Sequence, residues 1–183
     1  MSSRIARFAV VGAALALPLS AMIAAPATAA PTTTTRPIVT SAVPKANVRT
    51  GPSPWRGAPL RHPNGSAFYP KVLRWANLVS AVMAEQKIPQ KYLPGILAQI
   101  QQESSGNPNA INLWDSNARR GTPSMGLLQV IAPTYQAYAK PGYRSLRYQA
   151  VPYTNIWAAL NYVRHTYGMG KFARWNQGQN WAY

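Results

Sequence analysis

Only three carboxylate side chains occur in the 183 residues, Glu85, Glu103 and Asp115, so any acid–base chemistry rests on very few groups. Glu103 is the best placed of them. It lies near the end of Pro-Gly-Ile-Leu-Ala-Gln-Ile-Gln-Gln-Glu-Ser at residues 94–104, where Pro94 suits a first helical turn and Ile96, Leu97 and Ile100 recur at helical spacing. At roughly 100° per residue, Glu103 falls about 20° from Ile96 and about 60° from Ile100. The carboxylate therefore shares the apolar face, and Ser-Ser-Gly-Asn-Pro at 104–108 must stop the helix just beyond it. Partial desolvation and the negative end of the helix dipole both raise a carboxyl pKa. An acid still protonated near neutral pH is what general acid catalysis needs. The plainer alternative is a solvated residue at a helix end.

Other catalytic and metal chemistries have little material. Cysteine is absent, which removes thiolate nucleophiles, thiolate metal sites and disulfides. The two histidines are His62, in a Pro-rich stretch, and His165, opposite the apolar face of a helix. Neither offers a metal cluster or a serine–histidine–acid arrangement, and the sequence calls for no cofactor and no metal. Glu85 falls on the solvated side of its helix and is given no role. Asp115 sits twelve positions after Glu103 in Asn-Leu-Trp-Asp. It either builds a turn, as Asp commonly does among Asn and Ser, or folds over the site to activate a water.

The elements that must carry Glu103 are helical. A helix is expected over residues 70–87, with Val72, Leu73, Trp75, Ala76, Val79, Val82 and Met83 on its apolar stripe, followed by the helix that begins at Pro94. Residues 107–125 read as a long loop, of the kind that is often functional. A short apolar element spans 126–131, and a short helix 134–139. The last strong helix covers 154–167, capped by Thr154, with Ile156, Leu160, Val163 and Tyr167 inward and Gly168 ending it. No stretch shows the alternation of a half-buried strand. In the tail, 169–183, Phe172, Trp175, Trp181 and Tyr183 are expected to cover an edge of the core.

Ahead of this domain, Arg4 and Arg7 precede an apolar run at 8–25, and Ala27-Thr28-Ala29 supplies small residues for cleavage. Residues 1–29 thus read as a signal peptide, leaving a mature protein without stable membrane insertion. Residues 30–68, dense in Pro and Thr, read as a disordered basic linker, with Trp55 and Leu60 as possible contacts to the domain at 69–183. Nineteen basic residues against the three acidic ones give a net charge of +16, lowered by two once Arg4 and Arg7 leave with the leader. Such an excess draws a protein to polyanions. Anionic cell-wall polymers fit an exported protein, whereas nucleic acid is the poorer candidate because the basic residues form no single recognition stripe.

Three pieces stand in a recognisable order: Glu103-Ser104, Gly126-Leu127-Leu128-Gln129, and Asn155-Ile156 followed by Ala159 and Tyr162. Asn-Pro-Asn-Ala after the glutamate and Gly-Thr-Pro-Ser before the glycine element add to the pattern. The succession resembles the soluble lytic transglycosylase (SLT) family over roughly residues 92–168. The resemblance implies a mainly α, lysozyme-like helical domain with a long cleft-side loop, acting on peptidoglycan glycan strands in the bacterial cell envelope. It implies Glu103 as acid and base in turn, Ser104 hydrogen-bonding near the reacting sugar, Gly126 admitting a glycan closely and Asn155 as a further binding residue. Gln129 would offer an amide to the substrate or to Glu103, and Tyr162 would hold the acid. Gln129 as a backbone cap and Tyr162 as a buried structural tyrosine are the alternatives.

Ordinary glycosidases use two carboxylates, whereas substrate-assisted enzymes need only the acid. The implied reaction cuts the β-1,4 bond between N-acetylmuramic acid and N-acetylglucosamine and leaves a 1,6-anhydromuramoyl end. The competing expectations are a hydrolysing muramidase that uses Asp115, a non-catalytic wall-binding module, and a polyanion binder driven by charge alone.

Overall fold

The computed structural model describes residues 59–178. The leader, Trp55, Trp181, Tyr183 and most of the linker lie outside the described residues. The described chain is mainly helical, consistent with the lysozyme-like domain expected, with α1 at Pro70–Leu73, α2 at Ala76–Glu85, α3 at Leu93–Ser104, α4 at Ser116–Arg119, α5 at Ala132–Tyr138, α6 at Pro152–Tyr167 and α7 at Met169–Asn176. Single 3-10 turns at Gln90–Tyr92 and Leu146–Tyr148 precede α3 and α6. Among the described residues, no helix is long and apolar enough to cross a membrane.

α3 is the central helix. Leu93, Gly95, Ile96, Leu97, Ala98, Gln99 and Ile100 are all buried, which is what a helix surrounded by others shows. Around it pack α1, α2 and α7, and α6 closes the core against α2, α5 and α7. α7 approaches so closely that a Cβ on Gly95 would lie 2.5 Å from the backbone nitrogen of Asn176. The Asn176 side chain accepts a hydrogen bond from the Gly95 N–H at 3.3 Å.

Several boundaries differ from the sequence reading for physical reasons. The helix expected over 70–87 is two helices, because the Trp75 N–H bonds back to Val72 in a tighter turn at 3.0 Å and the Trp75 indole donates to the Gly106 carbonyl at 2.9 Å. α6 begins two residues before Thr154, with Pro152 in its first turn. The Thr154 hydroxyl instead donates to the Tyr148 carbonyl at 2.6 Å and lies 3.1 Å from the Val151 carbonyl. The long loop contains α4, which Asp115 caps. The tail contains α7, where Phe172 and Trp175 are buried in the core. Residues 59–68, within the stretch read as linker, are among those described. There His62 and Phe68 are buried with ring centroids 5.4 Å apart, and Leu60 packs on the core.

Glu85 is exposed, yet it accepts a hydrogen bond from Lys140 at 2.7 Å and another from the Tyr153 hydroxyl at 2.9 Å. Those contacts fasten α2 to the segment after α5 and to α6.

Candidate active site

Glu103 occupies the last turn of α3, half-buried beside Ile100. Desolvation by burial pushes its carboxyl up from 4.5 to about 7. None of the hydrogen bonds among the described residues ends on that carboxyl, so nothing of that kind favours its ionised form. Beyond it the chain turns sharply. Ser105 adopts a left-handed conformation at φ 51° and its N–H closes the helix on the Gln101 carbonyl at 3.1 Å.

Ser104 anchors this end of the helix. Its hydroxyl donates to the Leu127 carbonyl at 2.9 Å and lies 3.1 Å from the Ile100 carbonyl, and it accepts from the Gly106 N–H at 3.2 Å. Leu127 belongs to a tight turn at 126–129, closed by reciprocal backbone bonds between Met125 and Val130 at 3.1 and 3.0 Å. The hydroxyl therefore fixes the catalytic candidate to that turn.

Gly126 stands at φ 81°, and a Cβ there would fall 2.5 Å from the Asn155 amide nitrogen. The close neighbour that requires glycine is thus the Asn155 side chain. Asn155 is fully buried in the first turns of α6. Its oxygen accepts from the Leu128 N–H at 2.9 Å, and its amide donates to the Met125 carbonyl at 2.9 Å and the Gln149 carbonyl at 2.8 Å. Gln129 turns its own amide inward, donating to the carbonyls of Ala110 at 3.1 Å and Gly126 at 2.9 Å, while its oxygen accepts from Ser124 at 3.1 Å. The three sequence motifs are consequently one hydrogen-bonded unit. Ser104 links the first to the second, and Asn155 links the second to the third.

Tyr162 lies two turns beyond Asn155 on α6. Its ring meets Tyr138 and Tyr167 edge-on at centroid distances of 5.1 and 5.8 Å, and its hydroxyl stands 3.3 Å from that of Tyr167. Burial, and then the Tyr167 bond, hold its pKa well above the ordinary tyrosine value. Asp115 accepts from the Ala118 N–H at 2.8 Å and the Asn112 amide at 3.1 Å. Both its oxygens are engaged in shaping the loop. His165 is exposed, and among the described residues no three His, Cys, Asp or Glu side chains gather as a metal site would require.

Sequence reasoning missed Gln149, which is buried and donates to the Val130 carbonyl at 2.8 Å, and the backbone carbonyls of Leu127 and Ala110. Gln149 lies in an irregular stretch without periodicity. Backbone acceptors carry no side-chain signal at all.

Comparison with known proteins bears on the family. The family model described as "Transglycosylase SLT domain" matches residues 80–179. A protein of Bacillus subtilis (strain 168), "Uncharacterized protein YqbO", is 45% identical over 97 residues. Those residues are 53% of this chain and 6% of that protein. No solved structure gives a significant match. With more than half of its length matched, and with Ser104, the 126–129 turn and Asn155 bonded into one unit, the chain belongs to the transglycosylase SLT domain family.

Proposed function

We propose that the protein is an exported peptidoglycan lytic transglycosylase of the bacterial cell envelope in which Glu103 is the reacting carboxyl. The observation that carries this reading is the half-buried acid with a pKa raised to about 7, tied through Ser104 to the turn of the Gly-Leu-Leu-Gln motif. Protonated, Glu103 gives its proton to the glycosidic oxygen as the bond from that oxygen to the muramic anomeric carbon breaks. The N-acetyl carbonyl of the same sugar compensates the charge left on carbon. As a carboxylate, Glu103 then takes the proton of the sugar's 6-hydroxyl while that oxygen attacks the anomeric carbon. The 1,6-anhydro ring closes, the acid is restored and no water is consumed.

In this reading Ser104, Gly126, Gln129 and Asn155 serve the substrate by building the wall against which Glu103 and the strand are held, and Tyr162 supports the same cleft from α6. Substrate-assisted chemistry suits a chain whose other two carboxylates are engaged, Glu85 with Lys140 and Asp115 at the start of α4. Export follows from the leader-like residues 1–29, and the basic excess favours a wall carrying anionic polymers. The test is digestion of purified walls with mass analysis of the released fragments. Wild type is expected to yield anhydro ends, and Glu103→Gln to lose cleavage while keeping its fold. Reducing ends, or undiminished cleavage by that variant, would overturn the proposal.

A further inference from the structure

Beside the site lies a half-open cavity of about 400 Å³, lined by Lys71, Arg74, Ser104, Ser105, Gly106, Asn107 and Pro108. One wall is the turn that follows Glu103. The other comes from α1 and Arg74, which precede the residues matched by the family model. We propose that this cavity binds a carboxylate of the peptide borne by the glycan strand, so that residues outside the family core select the substrate. The inference rests on the lytic-transglycosylase reading for the identity of the ligand.

Charge is the first argument. Lys71 and Arg74 are exposed and form no ion pair among the described residues, where the single salt bridge is Lys140–Glu85. With Glu85 so paired, Asp115 capping α4 and Glu103 shifted toward its neutral form by burial, no side-chain carboxylate among the described residues pairs with these two cations. An anion from outside is what they can take.

Rigidity is the second argument. The indole of Trp75 is bonded to the Gly106 carbonyl at 2.9 Å, and the Arg74 guanidinium lies over its ring at 4.5 Å. That contact holds the guanidinium beside the indole, and a two-pronged bond to a carboxylate is the geometry arginine serves best. α1 itself is pressed onto the turn. A Cβ on Gly106 would fall 2.4 Å from the Lys71 carbonyl oxygen, and the Tyr69 N–H donates to the Gln101 side chain at 2.9 Å. The backbone that carries both cations is thus held in place before binding.

Position and size select the source. Ser104 belongs to the cavity and adjoins Glu103, and adjacent α-carbons are about 3.8 Å apart. In this proposal a strand with its muramic residue at Glu103 carries the peptide attached to that residue toward the cavity mouth. The volume is in the range of pockets that take small ligands and suits one or two amino-acid residues rather than a length of phosphate polymer.

The test is titration of the Glu103→Gln protein with a soluble disaccharide-peptide, following the backbone amide resonances of Ser105, Gly106 and Asn107. Saturable shifts are expected, weakened about tenfold by adding Lys71→Gln and Arg74→Gln, partly restored when Arg74→Lys replaces the second change, and weakened alike when the peptide carboxylates are amidated. Unchanged affinity in the double variant, or equal binding of the amidated ligand, would overturn the assignment. Displacement by a glycerol-phosphate oligomer at equal or lower concentration would also overturn it and transfer the cavity to wall phosphates. In a parallel arm, Lys71→Gln/Arg74→Gln with Glu103 intact should slow cleavage of peptide-bearing strands and leave peptide-stripped strands unaffected. If wild type cleaves neither, the functional proposal fails while the titration still judges the cavity.

Discussion

At the scale of the residue, Glu103 carries two linked consequences of one burial. In the proposed reaction its carboxyl must be protonated when the glycosidic bond breaks, so kcat/KM on glycan strands should fall about tenfold per pH unit above pH 7, to be checked by a pH–rate profile. The same shift governs stability. The folded pKa of about 7 lies above the unfolded 4.5, so the folded state binds the proton more tightly. The neutral acid's contribution is fully present below 4.5 and lost as pH rises through 7. Glu103→Gln should therefore match wild type in denaturant melts near pH 4.5 and exceed it by about 1–3 kcal/mol at pH 8. Asn155 is the opposite case. Its amide meets three buried or half-buried backbone groups, and Asn155→Ala should cost about 3 kcal/mol or more by chemical denaturation, with cleavage falling too as the 126–129 turn loosens.

Glu103 was legible in the sequence because helical periodicity and a following stop signal are local. Motif order made Gly126, Gln129 and Asn155 stand out, but their hydrogen bonds were not legible. The Ser104–Leu127 and Asn155–Leu128 bonds join residues 23 and 27 positions apart, and nothing in local pattern encodes such pairings.

At the scale of the element, the order and type of α2, α3, α5 and α6 follow from apolar spacing and proline, while α7 did not. Gly168 reads as a stop, and glycine at 170 lowers helix propensity in the short stretch beyond it. Tertiary burial of Phe172 and Trp175 prevails over that propensity. The split between α1 and α2 was hidden for a similar reason, since the Trp75–Gly106 bond that accompanies it spans 31 positions. The α3–α7 contact makes its own prediction. Gly95→Ala places a methyl group 2.5 Å from backbone rather than from a flexible side chain. It should destabilise the protein by about 1–3 kcal/mol and lower its melting temperature, with hydrogen-exchange protection lost first in α7.

At the scale of the whole molecule, the charge of +16 is carried with a single ion pair among the described residues, so the field is largely uncompensated. Raising ionic strength from about 0.01 M to about 0.15 M shortens the screening length from about 30 Å to about 8 Å. Retention on purified anionic walls, measured by sedimentation, should drop steeply over that range, while cleavage of short soluble strands should change little.

The clamp between α1 and the turn after α3 also bears on modularity. A segment cut where the family model begins, at residue 80, would leave Gln101 and the Gly106 carbonyl without the Tyr69 and Trp75 groups bonded to them, and would strip buried Phe68, Val72, Ala76, Leu78 and Val79 from the core. Residues 80–183 produced alone should bind a hydrophobic dye and lack a cooperative melt, whereas a segment beginning at residue 59 should melt cooperatively. The stretch recognisable as the family's sequence is therefore shorter than the stretch whose packing holds the core together, and a graft of the proposed activity onto another protein must carry α1 and the start of α2 with it.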